Sequence, residues 1–202
     1  MAEPDASNQA PVAWVLPGEP TPVRLMNTVW ADRHGEHDSL TTPAELAAWL
    51  TAVGRLDAGT PATGADLDAV RRLRGALRRL GALVTADARP GASGGSVEAA
   101  VAAVNGAAAA GSDPPRLELR DGRLRRDRAP GGPPVATAVA AIAAEAIELL
   151  TSPESPPLRA CRAPGCVLYF VRDHPRREWC STACGNRARA ARHYRRHRAA
   201  PR

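Results

Sequence analysis

Four cysteines carry the clearest chemistry in the 202-residue chain, spaced Cys161-x4-Cys166-x13-Cys180-x3-Cys184. Two close pairs separated by a short insert suit a tetrahedral zinc ion. Each pair supplies two thiolates from one local turn, and the insert folds back to bring the pairs together. A closed four-thiolate site leaves no coordination position for a substrate, which argues against catalysis at the metal and against an enzyme. Cys180 and Cys184 share one face of a helical first turn, where the positive helix end favours thiolates. Two other uses of these residues stay open. His193 and His197 have the spacing of a finger's second half, although 26 residues separate Cys166 from His193, against about 12 in that motif. A redox pair or disulfides is the other use.

Behind Cys184 runs a segment to Arg198 with six Arg and no acid. Asn186, Arg187, Arg189, Arg192, Arg195, Arg196 and Arg198 are its candidate nucleic-acid contacts, by phosphate attraction and bidentate pairing with guanine. Charge is divided along the chain. Residues 1–157 sum to −4 and residues 158–202 to +10, and zinc with four thiolates leaves the latter at +8. All 27 basic residues are Arg. The alternative for this segment is a solvated helix, or one docked on the acidic N-terminal region. Tyr169, Phe170, Trp179 and Tyr194 are offered as small-core residues before stacking platforms.

The elements that must position these groups follow from local pattern. Residues 167–171 read as a strand, Asp173-His174-Pro175 as a turn, 177–179 as a returning strand and 181–198 as a helix. Knuckle, hairpin and ligand-bearing helix together make a treble-clef-like module. About 45 residues bury too little to fold alone, so the metal is expected to supply most of the folding free energy.

The run Trp179-Cys180-Ser181-Thr182-Ala183-Cys184-Gly185-Asn186-Arg187 resembles the CGNR zinc finger, named for the residues that stand here at 184–187. The upstream Cys161-Arg162-Ala163-Pro164-Gly165-Cys166 is similar to it too. In that family the finger follows an ABATE domain, which residues 22–157 resemble at Leu25-Met26-Asn27-Thr28-Val29, the 40–50 stretch, the Asp121-Gly122 turn and Leu149-Leu150-Thr151-Ser152. Arg24-Leu25-Met26 departs from the more apolar family pattern. The resemblance implies a bacterial, stress-linked DNA-binding transcription regulator. It implies zinc on Cys161, Cys166, Cys180 and Cys184, and an N-terminal domain that senses a small-molecule effector. Asn186 and Arg187 then either brace the finger or meet nucleic acid; Asn27 and Thr28 receive no ligand role.

The N-terminal region is Ala-rich, with 42 Ala in the chain, and Ala has the highest helix propensity. Residues 12–30 suggest one or two short strands. Thr42-Pro43-Ala44-Glu45 reads as a capping box opening a helix that Gly54 stops. A second helix starts near Thr63. Leu67, Val70, Leu73, Leu77 and Leu80 form its apolar stripe, and Arg71, Arg72, Arg74, Arg78 and Arg79 its solvated face. A Gly-rich loop covers 91–95 without the Lys-Ser/Thr of a phosphate loop. A third helix spans 96–110, a hairpin turns at Asp121-Gly122, and a long helix runs from Pro133-Pro134 to Leu150. Asp32, His34, Glu36, His37 and Asp38 are read as a solvated turn; a metal or acid–base site is the sharper alternative.

The start of the chain has no apolar signal segment. The apolar run 135–150 is interrupted by Glu145 and Glu148 and is short for a bilayer. A cytoplasmic protein without membrane contact is expected. The expectation is therefore an α+β, mostly α chain. It has a disordered tail at 1–11, an ABATE-like helical domain with a small antiparallel hairpin at 12–152, a linker at 153–157, and a zinc finger ending in a basic helix at 158–202. DNA is the expected partner. A zinc-stabilised protein- or RNA-interaction module is the alternative.

Overall fold

The computed structural model describes residues 16–89, 94–111, 115–128 and 132–198. The expected tail at 1–11 and residues 91–93 of the Gly-rich loop lie outside them.

Among the described residues, six helices and three two-stranded antiparallel sheets follow in the order α1 (Thr21–Met26), β1 (Val29–Asp32), β2 (Gly35–Asp38), α2 (Pro43–Ala52), α3 (Gly64–Thr85), α4 (Val97–Ala110), β3 (Pro115–Arg120), β4 (Arg123–Arg128), α5 (Pro134–Thr151), β5 (Leu158–Ala160), β6 (Tyr169–Val171) and α6 (Thr182–Arg198). The protein is mostly helical, and α6 closes the C-terminal four-cysteine segment.

Local rules set the helix starts. Thr42 and Glu45 form a reciprocal capping box on α2, and Thr63 and Asp66 form another on α3, each satisfying amides that the first turn leaves open. Asp121 and Gly122 both adopt positive φ, 51° and 69°, as a two-residue hairpin turn requires. The β3–β4 hairpin leaves Leu117, Leu119 and Leu124 exposed.

The core is built around α3. Leu67, Val70, Leu73, Leu77 and Leu80 are buried on one stripe. They meet Val23, Leu25 and Met26 of α1, Trp49 and Leu50 of α2, and Val135, Val139 and Ile142 of α5. The long apolar α5 therefore spends six residues on this core. The same core takes in Leu158 and Ala160 of β5 and Tyr169 and Val171 of β6.

Three expectations are corrected. Residues 21–26 form a helix where a strand was expected, because Pro22 suits its first turn. Residues 32–38 are a β-hairpin with β1, not a turn, in register Val29↔Asp38 to Asp32↔Gly35. The α3 arginines are a solvated face only in part: Arg72 is exposed as expected, and the other four are engaged. Arg74 is 7% exposed and bidentate on Asp38 at 2.6 Å. Arg71 and Arg78 donate to the Leu40 and Met26 carbonyls, and Arg79 to that of Gly95.

Candidate metal centre and basic helix

The zinc-type segment begins at β5, whose end carries Cys161. A knuckle leads to Cys166 and β6, and a turn then brings Cys180 to the start of α6. All four cysteines are free and buried, and their sulfurs lie within 4.8 Å of one another. Cys166 and Cys180 sulfurs are 3.8 Å apart, and those of Cys180 and Cys184 3.4 Å. Sulfurs at about 2.3 Å from a tetrahedral zinc stand about 3.8 Å from each other, so the donor set has the size and chemistry for that ion. Hydrogen bonding with Cys166, then with Cys180, pulls the Cys161 thiol down to about 2. The same sharing with Cys161 pushes Cys166 up to about 12 and raises Cys180 too. Negative charge gathered on sulfurs this close favours a cation among them. His193 lies exposed on α6, outside the cluster.

Each residue of the 184–187 run has a contact that explains it. Cys184 is the fourth sulfur. A Cβ on Gly185 would stand 3.1 Å from Trp179 Cδ1, so a side chain there would crowd the indole and require it to shift by a few tenths of an ångström. Asn186 Oδ1 accepts from Arg189 Nη2. Arg187 Nη2 donates to Cys184 Sγ at 3.0 Å. The Ser181 hydroxyl accepts from the Cys184 amide at 3.2 Å, as a helix cap does.

Further along α6, Arg189, Arg192, Arg195 and Arg196 are exposed. Arg192 also sits over the Trp179 ring at 6.0 Å. The side chain of Arg198 lies outside the described residues. Tyr169 and Phe170 are buried core, Trp179 is half-buried, and Tyr194 is exposed.

The returning strand expected at 177–179 does not form. β6 pairs instead with β5, Leu158↔Val171 to Ala160↔Tyr169. Side chains occupy its other edge. Asn27 Nδ2 donates to the Tyr169 carbonyl and Asn27 Oδ1 accepts the Tyr169 amide. Glu19 Oε2 accepts the Val171 amide, and Arg177 Nη1 donates to the Val171 carbonyl. A strand so satisfied has no groups left for a partner strand.

Residues 19–153 match the ABATE family model, described as "Putative stress-induced transcription regulator", and residues 158–197 match the CGNR zinc finger. The chain belongs to the ABATE family. No curated protein matches it. Neither family description names a catalytic activity. The ABATE domain is followed by the CGNR finger, and four clustered buried cysteines agree with zinc as the finger's cofactor.

The ABATE domain contributes to the finger residues that sequence reasoning passed over. Arg89 Nη1 donates to the carbonyls of both knuckle cysteines, Cys161 at 3.0 Å and Cys166 at 2.8 Å. Asp87 holds Arg89 at 2.5 Å and accepts from the Tyr169 hydroxyl at 2.7 Å. Burial acts to raise the Asp87 carboxyl, but hydrogen bonds from Arg89 and Tyr169 outweigh it and hold the group below its ordinary value. Burial, reinforced by Asp87, pushes the Tyr169 hydroxyl up to about 12. Glu19 is buried and pairs with Arg177. Of the 32–38 groups, Asp32, His37 and Asp38 are occupied within the ABATE domain. Asp32 bonds His37 at 2.9 Å, His37 stacks on Trp30 with centroids 4.3 Å apart, and Asp38 binds Arg74.

Proposed function

We propose that this ABATE protein is a DNA-binding transcription regulator whose CGNR finger presents α6 to the phosphate backbone. One observation carries the reading. The four-sulfur cluster and Arg187 fix the start of α6, and Arg189, Arg192, Arg195 and Arg196 are exposed along it. In this reading Cys161, Cys166, Cys180 and Cys184 are the zinc ligands. Bound zinc contributes folding free energy on the order of ten kcal/mol to so small a module. Asn186 orients Arg189, and Arg187 steadies the thiolate of Cys184. Residues 12–152 form the effector-sensing domain, residues 153–157 a connection, and residues 158–202 the finger. A cytoplasmic location follows from a regulator's access to DNA.

The test combines metal content with duplex binding. Purified protein is assayed for zinc, then titrated with mixed-sequence duplex DNA at several salt concentrations, with and without a chelator. One zinc per chain is expected, with binding lost on chelation. About five neutralised phosphates give a log–log salt slope near −4 to −5. Arg192→Ala and Arg195→Ala should weaken binding to all sequences alike. A flat salt response overturns the reading.

A further inference from the structure

The finger carries a second basic surface that α6 does not account for. The β5–β6 sheet has two faces, because successive side chains alternate. Leu158, Ala160, Tyr169 and Val171 enter the ABATE core, while Phe170 packs against the cysteine cluster on the other face. Arg159 is directly opposite Phe170 across the sheet, so it shares that face. Arg172, two residues beyond Phe170, keeps to it as well, since its amide still bonds the Pro157 carbonyl. A recess of about 320 Å³ opens there, and Arg159, Phe170, Arg172 and Trp179 are among its lining residues.

The charge of this recess is not cancelled from within. Arg162 and Arg177 also line it, against one acid, Glu178. Arg177 is paired with Glu19 and Asp173, and Arg162 donates to the Thr85 and Ala86 carbonyls. Arg159 and Arg172 take part in no ion pair among the described residues. Arg159 is exposed. Arg172 Nη2 donates to the Pro175 carbonyl, but its Nε is buried with no hydrogen-bond partner. A buried donor in that state gains from an acceptor oxygen. Trp179 joins the recess to α6, lying against Gly185 on one side and under Arg192 on the other.

We propose that this recess is a phosphate subsite of the finger: Arg159 and Arg172 bind one backbone phosphate of the DNA engaged by α6, with the Trp179 ring against the adjoining nucleotide. The subsite rests on the DNA-binding reading above and extends it from a helix to a surface running across Trp179. Two guanidiniums and an indole suit a phosphodiester, because Arg supplies paired donors and an aromatic face takes a sugar or base without sequence preference.

The experiment uses the zinc-loaded full chain and mixed-sequence duplex DNA, titrated across a salt series. Arg159→Gln carries the test, since no side-chain hydrogen bond among the described residues depends on it. Arg33→Gln, on the β1–β2 hairpin, is the charge-matched control. Arg159→Gln is expected to flatten the log–log salt slope by about one and weaken binding about tenfold. Its zinc content and melting should match the wild type, and Arg33→Gln should bind as the wild type does. Arg172→Gln should reproduce the slope change. A wild-type slope in Arg159→Gln, with salt-sensitive binding otherwise intact, overturns the subsite and leaves the α6 reading standing. Absence of duplex binding by the wild type overturns both.

Discussion

Asn27 and Tyr169 pair through two hydrogen bonds, the side-chain amide of one meeting the backbone N–H and C=O of the other at 2.9 and 2.8 Å. Both residues are fully buried, and 142 positions separate them. Asn27 thus acts as one residue of a strand, standing beside β6 where a neighbouring strand would be. Replacing it by Ala leaves a buried donor and a buried acceptor unmatched, each costing about 1–3 kcal/mol. Urea unfolding of Asn27→Ala should show a loss of about 2–6 kcal/mol. Asn27→Asp should be no better, because a carboxylate accepts from the amide and has nothing to donate to the carbonyl. A loss under about 0.5 kcal/mol in both variants would mean that this pairing does not anchor the finger.

Arg187 and Arg89 support the cysteine cluster from different directions, one through sulfur and one through the knuckle carbonyls. Groups in that position commonly change metal affinity by about 10–100-fold when removed. Arg187→Ala and Arg89→Ala are each expected to release zinc to a competing chelator at least about tenfold more readily. Arg89→Ala also strips Asp87, whose side chain is 3% exposed, of its ion-pair partner. It should cost further stability, on the order of 3 kcal/mol. Unchanged zinc competition in Arg187→Ala would return that residue to the candidate nucleic-acid contacts.

Protonation should limit stability at both ends of the pH scale through one cluster. The Asp87 carboxyl is held below its ordinary value in the folded protein. Its contribution is therefore present above the unfolded carboxylate value, about 3.9, and is lost as pH falls through the folded one. The Tyr169 hydroxyl stands at about 12, above its ordinary 10. That contribution is complete below pH 10 and declines as pH rises toward 12, since the unfolded chain releases the proton first. Denaturant midpoints of the wild type and Tyr169→Phe, followed from neutral pH into this alkaline range, check it. The variant should lose less stability across the range than the wild type; parallel curves would exclude the phenol as the cause.

Legibility in the sequence follows the distance between partners. The capping box at Thr42 joins residues three apart, and the four cysteines sit in two tight pairs, so local spacing reveals both. Glu19, Asn27, Arg74 and Arg89 act on residues 36 to 158 positions away, and no local pattern names such partners. A trace was present for two of them. Arg74 lies four residues after Val70 and three before Leu77, on the apolar face of α3 where a charge needs a partner. Asn27 follows the apolar run of α1 at the point where the chain turns into β1. The returning strand failed for a related reason. The apolar, strand-favouring run 167–171 shows that a strand forms, but not which edge another segment of the chain has already taken.

The filled edge of β6 has a bearing on how such a protein can be cut and recombined. The Pro- and Ser-rich stretch at 153–157 looks like a natural point at which to divide the chain into interchangeable pieces. Cleavage there would leave the distal piece without Asn27, Glu19 and Arg89, and would expose Leu158, Ala160, Tyr169 and Val171 together. A finger grafted onto another protein would need replacements for a strand edge, a donor to the knuckle carbonyls and an apolar wall. The unit that can be inherited or transplanted intact is accordingly larger than the zinc motif. It reaches back to the turn before α1.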